Sequence, residues 1–297
     1  MTQLTYTPYD GSAKPFTIGL VPLDLARWIE PDADLGRYLD EKRRLSRDYL
    51  SEIFVAEDDT QEAQQEALGL LTAYLCEGHP TICHRDGSIV SIAGHSVDLA
   101  DASVPPLLKA GSLVADDLVI MRRKADGWHL VAGHVAFPSS WSLQEKFGRP
   151  MQAIHADVPG FGEGTRNAAL ITRIFDNLQV SQPVERLNWS VNATRELFLS
   201  ASKHRRPPVT TPPTLETRFA RVERQTLRKL PISGDILFTI RVYVDPIAAI
   251  ANHPKAPELA SSFATQLDAL DEYQTAYKGL IHQKAELVKQ LRMLAGI

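Results

Sequence analysis

Two stretches near the N-terminus carry apolar residues at helical spacing. Between Leu35 and about Ala56 they recur every three or four positions, at Leu35, Tyr38, Leu39, Leu45, Leu50 and Ile53. A second stretch begins near Thr60, a residue able to cap a helix, and runs to about Glu77, where Gly78 ends it. The pattern predicts two helices, preceded by an extended arm over residues 1–30.

Alternating residues in the middle of the chain predict two antiparallel hairpins. Leu118 to Arg123 and Trp128 to Phe137 flank Asp126-Gly127, a short-range hairpin signal. Arg218 to Leu230 is predicted to pair with Ile236 to Val244. In the last of these strands every second residue is apolar, so we expect a half-buried strand with Ile236 and its alternate neighbours facing inward.

The remaining periodic segments complete an α+β pattern. Residues 188–191 form a further candidate strand, and residues 167–178 carry one apolar face typical of a helix. Four prolines within residues 203–214 predict a stiff connector, and residues 261–294 read as one long or two abutting helices. Because the strands are grouped apart from the helices, we expect an α+β fold rather than a doubly wound sheet.

Composition limits the cellular compartments and the kinds of partner that we expect for the chain. Of 297 residues, 44% are hydrophobic and 23% charged, and the net charge of −4 argues against a nucleic-acid surface, which is normally basic. No apolar run approaches the roughly 18 residues of a membrane span, and the N-terminus lacks a secretory signal. Cys76 and Cys83 match neither a disulfide framework nor a zinc spacing. We expect a cytoplasmic protein without membrane or nucleic-acid partners.

Common catalytic motifs do not occur in the sequence. Gly160, Gly162 and Gly164 fit neither a phosphate-binding loop nor a dinucleotide fingerprint. Neither a G-x-S-x-G elbow nor an H-E-x-x-H helix is present. Hydrolase and nicotinamide-binding functions therefore have no local support.

One histidine has a restrained setting that suits metal ligation. His155 lies between a short amphipathic segment and the turn Val158-Pro159-Gly160, whose proline limits the backbone. A neutral imidazole is a good ligand for iron, but a single histidine before a turn is seldom a ligand, so the setting alone leaves His155, and His134 after it, as candidates only. The alternative is that His155 is a surface or structural histidine.

A charged strand supplies the second group of candidates. Arg224 shares a face with Val222, whereas Arg221 and Glu223 lie on the other face. Because a buried unpaired charge is costly, an inward Arg224 would require an anion; an exposed strand with alternating charges is the alternative. Other cations of this strand are expected to protect a sheet edge or bind an anion: Arg218, Arg221, Arg228 and Lys229.

Five ordered blocks of the sequence resemble the haem-dependent oxidative N-demethylases. The blocks are Phe137-Pro138-Ser139, the segment with Trp141 and Lys146, the His155 segment, Asn188-Trp189-Ser190, and Arg221 to Pro231. The resemblance covers roughly residues 15–250 and is strongest over 112–240. Asp157 stands where the family usually has proline, and Phe161 where tyrosine is frequent.

The resemblance implies a PAS-like haem fold and assigns roles to individual residues. His155 would be the axial ligand of the haem iron, and Trp141, Phe161 and Arg221 would contact the haem. Arg224 and Glu223 would be the catalytic candidates, with Arg224 first. The division it implies has an N-terminal arm and helices over 1–80, a PAS-like antiparallel sheet with flanking helices as haem-binding core over 81–250, and C-terminal helices over 251–297, all packed as one unit.

The implied activity is oxidation of an N-methyl group on a small secondary amine such as dimethylamine. Oxygen would be activated on haem b, and formaldehyde and the demethylated amine would be released. The electrons would come from a partner reductase carrying NADPH, FMN and an iron–sulfur centre, because this chain has no flavin motif and no iron–sulfur cysteine set. The alternative is a PAS-like sensor that binds haem or a small ligand without turnover.

Overall fold

The computed structural model of the protein describes residues 4–200 and 211–297, so Pro207 and Pro208 of the predicted connector lie outside the described residues. The strands are β1 (Val21–Pro22), β2 (Phe54–Ala56), β3 (Cys83–Asp86), β4 (Ile89–Ile92), β5 (His95–Asp98), β6 (Asp117–Lys124), β7 (Gly127–His134), β8 (Val184–Asn192), β9 (Phe219–Lys229) and β10 (Ile236–Pro246). The α-helices are α1 (Leu35–Asp48), α2 (Leu50–Ile53), α3 (Gln61–Gly78), α4 (Pro106–Gly111), α5 (Leu143–Lys146), α6 (Met151–Ile154), α7 (Arg166–Asn177), α8 (Ala256–Asp268), α9 (Glu272–Tyr277) and α10 (Lys284–Ala295).

A seven-stranded antiparallel sheet forms the centre of the protein. Its strand order is β1-β8-β9-β10-β6-β7-β2, and β3-β4-β5 form a separate small sheet. The predicted α+β class is confirmed, as are both hairpins, the strand at 188–191 and the helix at 167–178. None of the helices in the described ranges is long and apolar enough to cross a membrane.

Two helical predictions were too long. The segment predicted as one helix to Ala56 forms two helices, α1 and α2. Its last three residues, Phe54–Ala56, form strand β2 instead, because they pair with β7. The C-terminal segment forms three helices rather than one or two. A capping box at Asp271 starts α9, and Gly279, with φ +68°, follows its end in a conformation that favours glycine.

Strand β10 is buried on both faces, which corrects the expectation of a half-buried strand. Leu237, Thr239 and Arg241, predicted to face solvent, are buried together with Ile236 and Val242 on the alternate set. The reason lies far away in sequence, since residues 28–42 fold over this second face. Periodicity of two marks which residues share a face, but it does not reveal what covers that face.

Residues 28–42 cover one face of β8, β9 and β10, which we call the back face. Buried cations lie on this face. Arg241 pairs with Asp32 at 2.7 Å and stacks 3.9 Å from the centre of the Tyr38 ring. Arg228 lies 4.3 Å from the Trp28 ring centre. Because β9 lies between β8 and β10, the expectation that its arginines protect a sheet edge is wrong.

Elements of the first 80 residues join the large sheet directly. Strand β1 pairs with β8, and β2 pairs with β7. At the other end of the chain, Lys278 donates a hydrogen bond to the carbonyl of Trp189 in β8. The division into 1–80, 81–250 and 251–297 stays a prediction, and the sheet draws strands from the first two of these ranges.

His134, the second candidate ligand, is packed tightly against Gly111. Its ring is fully buried, and neither nitrogen has a hydrogen-bond partner among the described residues. A Cβ atom added at Gly111 would lie 1.8 Å from Nδ1 of His134, so glycine is required there. Burial, aided by the charge of Lys42, holds the pKa of His134 well below its ordinary value.

We expect this burial to make stability depend on pH. Below pH 6.5 the unfolded chain protonates His134 whereas the folded protein keeps it neutral, so acidification favours unfolding by up to about 1.4 kcal/mol per pH unit. Urea unfolding between pH 7 and 5 should therefore show a shallower pH dependence in His134→Leu than in the wild type. The exposed His282→Gln serves as control. Equal slopes in all three proteins would contradict the prediction.

Candidate active site

The other face of the large sheet, which we call the front face, borders a cavity of about 680 Å³. Helices α6 and α7 and the segment after β7 form its other wall, and residues of the N-terminal arm and of α9 complete it. Such a volume lies within the range of pockets that hold a cofactor or a drug-sized ligand.

The floor of the cavity is apolar at one end and polar at the other. The apolar end consists of Val119, Met121, Leu130, Leu227 and Phe238. The polar end consists of Arg186, Asn188, Ser190, Glu223 and Gln225. The pairing of β8 with β9 places Arg186 opposite Gln225 and Asn188 opposite Glu223, so polar residues of two strands meet. An amphipathic ligand fits such a floor.

His155 lines the cavity and is held by the chain on both sides. It follows α6, where its amide donates to the carbonyl of Met151 at 3.1 Å, and its carbonyl accepts from Val158. Gly160 then turns with φ +78°, a backbone conformation suited to glycine. The Lys146 ammonium donates to the carbonyl of Ile154 at 2.9 Å, which ties α5 to the end of α6. The ring therefore projects from a braced turn.

The surroundings of His155 keep its imidazole neutral. Burial lowers the pKa of His155 to about 4, and the charges of Lys146 and Arg186 lower it further, while a hydrogen bond with the backbone of Met151 opposes the shift. A ring nitrogen lone pair is consequently available at neutral pH. A neutral histidine on a braced backbone turn has the properties of a metal ligand.

Trp141 and Phe161 also line the cavity. Phe161 is buried, and its ring centre lies 6.4 Å from that of His155. Trp141 is half-buried on the segment that follows β7. Both rings present apolar surface to the cavity, and their contact with haem, which the resemblance implies, stays a prediction.

Glu223 provides a carboxylate at the polar end of the floor. Its Oε2 accepts a hydrogen bond from Gln225 at 2.8 Å and another from Asn188 at 3.3 Å. Its charge also acts on Tyr277 of α9, whose pKa is raised to about 12, chiefly by burial. The carboxylate is thus fixed on the cavity floor within reach of a cationic ligand.

The structure places Arg224 on the back face rather than in the cavity. Its guanidinium pairs with Glu185 at 2.7 Å and donates to the carbonyls of Arg27 and Trp28. These contacts supply the anion and the polar partners that a buried arginine needs. The predicted placement of Arg224 beside the ligand differs from the observed one, because the N-terminal segment covers its face of β9.

Arg221 lies on the front face but just beyond the cavity lining. It donates to the carbonyl of Phe137 at 2.7 Å and to that of Leu197 at 3.1 Å, and so joins two segments. One of these continues into Ser139 and Ser140, which line the cavity. Arg221 therefore positions the cavity wall instead of lining it.

The arginine that does line the cavity is Arg186, which sequence reasoning missed. It is half-buried in β8, and its buried Nε has no hydrogen-bond partner in the part of the chain that the structure describes. The sequence Val184-Glu185-Arg186-Leu187 contains only a weak alternation, so no local pattern marks the inward face. The one available signal was the step of two from Arg186 to Asn188, a residue within a recognised block.

The fold defines a protein with a large, partly apolar cavity beside a neutral histidine. The chain matches the family described as haem-dependent oxidative N-demethylase, alpha subunit-like, over residues 19–288. This match spans most of the 297 residues, and the chain belongs to that family. The protein is accordingly of a haem-dependent, oxygenase-type family, and the predicted resemblance is confirmed.

The buried contacts of Arg224 generate a prediction about stability. Arg224→Ala would leave Glu185 and two buried carbonyls without their partner, so we expect a loss of about 3–5 kcal/mol in the free energy of unfolding. Arg292→Ala, which breaks an exposed pair with Asp268, should cost less than about 1 kcal/mol. Urea titration measures both. A stable Arg224→Ala protein that has lost only activity would indicate a role at the ligand instead.

Proposed function

We propose that this chain is the catalytic subunit of an oxidative N-demethylase that removes a methyl group from a small secondary amine such as dimethylamine. The single observation that carries the proposal is the cavity with neutral His155 on one wall and the Glu223 carboxylate on its floor. The family match supports haem as the cofactor. We infer that it is haem b, placed in a PAS-like core.

The described residues fit a haem group. Its apolar macrocycle would contact Phe161, Trp141 and the apolar end of the floor, and His155 would supply the axial nitrogen. The turn that carries His155, braced by main-chain hydrogen bonds with Met151 and Val158, would limit the directions of the ring. When bound, haem would supply the oxygen activation that oxidises the N-methyl carbon.

Glu223 is proposed to bind the amine. A secondary amine is protonated at neutral pH, and a carboxylate held by two amides is a fitting counter-charge for it. Both amides reach Oε2, which leaves Oε1 for the ammonium group. Of the two catalytic candidates, Glu223 faces the cavity and Arg224 does not, so Glu223 takes the first place.

The reaction requires electrons from outside the chain. Dimethylamine, O2, two electrons and two protons would give methylamine, formaldehyde and water. The chain has two cysteines in all, too few for an iron–sulfur cluster bound by four. We propose a partner reductase with NADPH, FMN and an iron–sulfur centre as the electron source.

His155→Ala should lose stable haem binding or change the ligation of the iron. The physical reason is loss of the axial nitrogen, and added imidazole should restore part of the original spectrum. The Soret band and the haem content per chain measure the effect, with exposed His282→Ala as the matched control. An unchanged Soret band at full haem occupancy in His155→Ala would exclude this ligand.

Glu223→Gln should retain haem but lose turnover of the amine. Removing the charge while keeping the shape should lower kcat/KM by about 10–100-fold, the range for a hydrogen bond between charged groups. Formaldehyde release from dimethylamine, with haem content measured in parallel, tests this. Exposed Glu196→Gln is the matched control. Haem binding by the wild type without any amine-dependent oxygen uptake would favour the sensor function instead.

A further inference from the structure

Among the described residues, three cationic side chains line the cavity that also holds the neutral His155: Lys146, Arg186 and Lys278. Lys146 donates to the carbonyl of Ile154, which braces the end of α6. Lys278 donates to the carbonyl of Trp189 and lies 4.5 Å from the centre of its ring. Both ammonium groups are therefore hydrogen-bonded to backbone carbonyls and hold segments of the protein together.

Arg186 differs from these lysines in its contacts. Its Nε is buried and lacks a hydrogen-bond partner within the described ranges. The charge of Glu223 acts on it, but the two side chains form no direct ion pair. A guanidinium that is desolvated in this way is costly unless an anion binds it.

The position of Arg186 on the floor indicates which kind of anion fits. In β8 it follows Val184, which pairs with Leu227 at the apolar end, and precedes Asn188, which pairs with Glu223 at the polar end. Arg186 thus lies at the boundary between the two ends. A ligand with an apolar body and a carboxylate edge would place that edge here.

We infer that Arg186 binds a carboxylate side chain of the haem, an inference that rests on the proposed function. The planar guanidinium matches a carboxylate in a two-point contact, and the low polarity of the neighbouring floor strengthens the pair. Arg221, expected from the resemblance to contact the haem, and Arg224, expected to require an anion, are engaged elsewhere by backbone carbonyls and Glu185. The bound carboxylate would also separate the charge of Arg186 from that of a cationic substrate at Glu223.

The test compares haem with its dimethyl ester, which keeps the macrocycle and the iron but replaces both carboxylates by uncharged methyl esters. Dissociation constants are measured by Soret titration of the haem-depleted protein, so no turnover is needed. The wild type should bind haem at least about tenfold more tightly than the ester, the scale of one charged hydrogen bond. Arg186→Met should lose most of this preference by weakening haem binding alone, and Arg186→Lys should keep part of it.

Lys146→Met is the matched control, because it removes another cation of the cavity, one whose ammonium group is bound to the carbonyl of Ile154. It should change the affinities for haem and ester by the same factor. A wild-type preference retained in Arg186→Met, or equal affinities for both ligands in the wild type, would overturn the inference while leaving the proposed function intact. Failure of the wild type to bind either ligand would overturn the proposed function itself.

Discussion

Successive side chains of β9 point to opposite faces of the sheet, and the two faces meet different requirements. The back face is sealed by residues 28–42, so each charge there needs a partner inside the protein. The front face opens on the cavity, where polar groups are left for a ligand. Because the alternation is strict, a shift of one residue in register would exchange Glu223 with Arg224 and abolish the site.

The arginines of the large sheet have different structural roles, although their side chains are the same. Arg224 and Arg241 hold the N-terminal segment to the back face through carbonyls and acidic residues. Arg221 ties together two segments that lead to the cavity wall. Arg186 lies in the cavity itself. What separates these roles is the surface that covers each guanidinium, since the residue type and the strand context are the same.

Much of the fold followed from local pattern, and several features did not. The Asp126-Gly127 turn and the alternation around Ile236 located both hairpins, because turn chemistry and pleat act over neighbouring residues. Strand β2 was read as the end of a helix, since three residues are too few to show a period. In the candidate site, His155 and Glu223 were identified and line the cavity, whereas Arg224 was placed on the wrong side and Arg186 was missed.

The sequence by itself determined the α+β class, the faces that residues of each strand share, and the restrained setting of His155. These properties depend on contacts between residues close in the chain. Only the tertiary structure decided which face of β9 became the cavity floor. That choice was made by residues 28–42 together with Arg27. The carbonyls of Trp28 and Arg27, 196 and 197 positions away from Arg224, accept its hydrogen bonds, and no local pattern encodes these contacts.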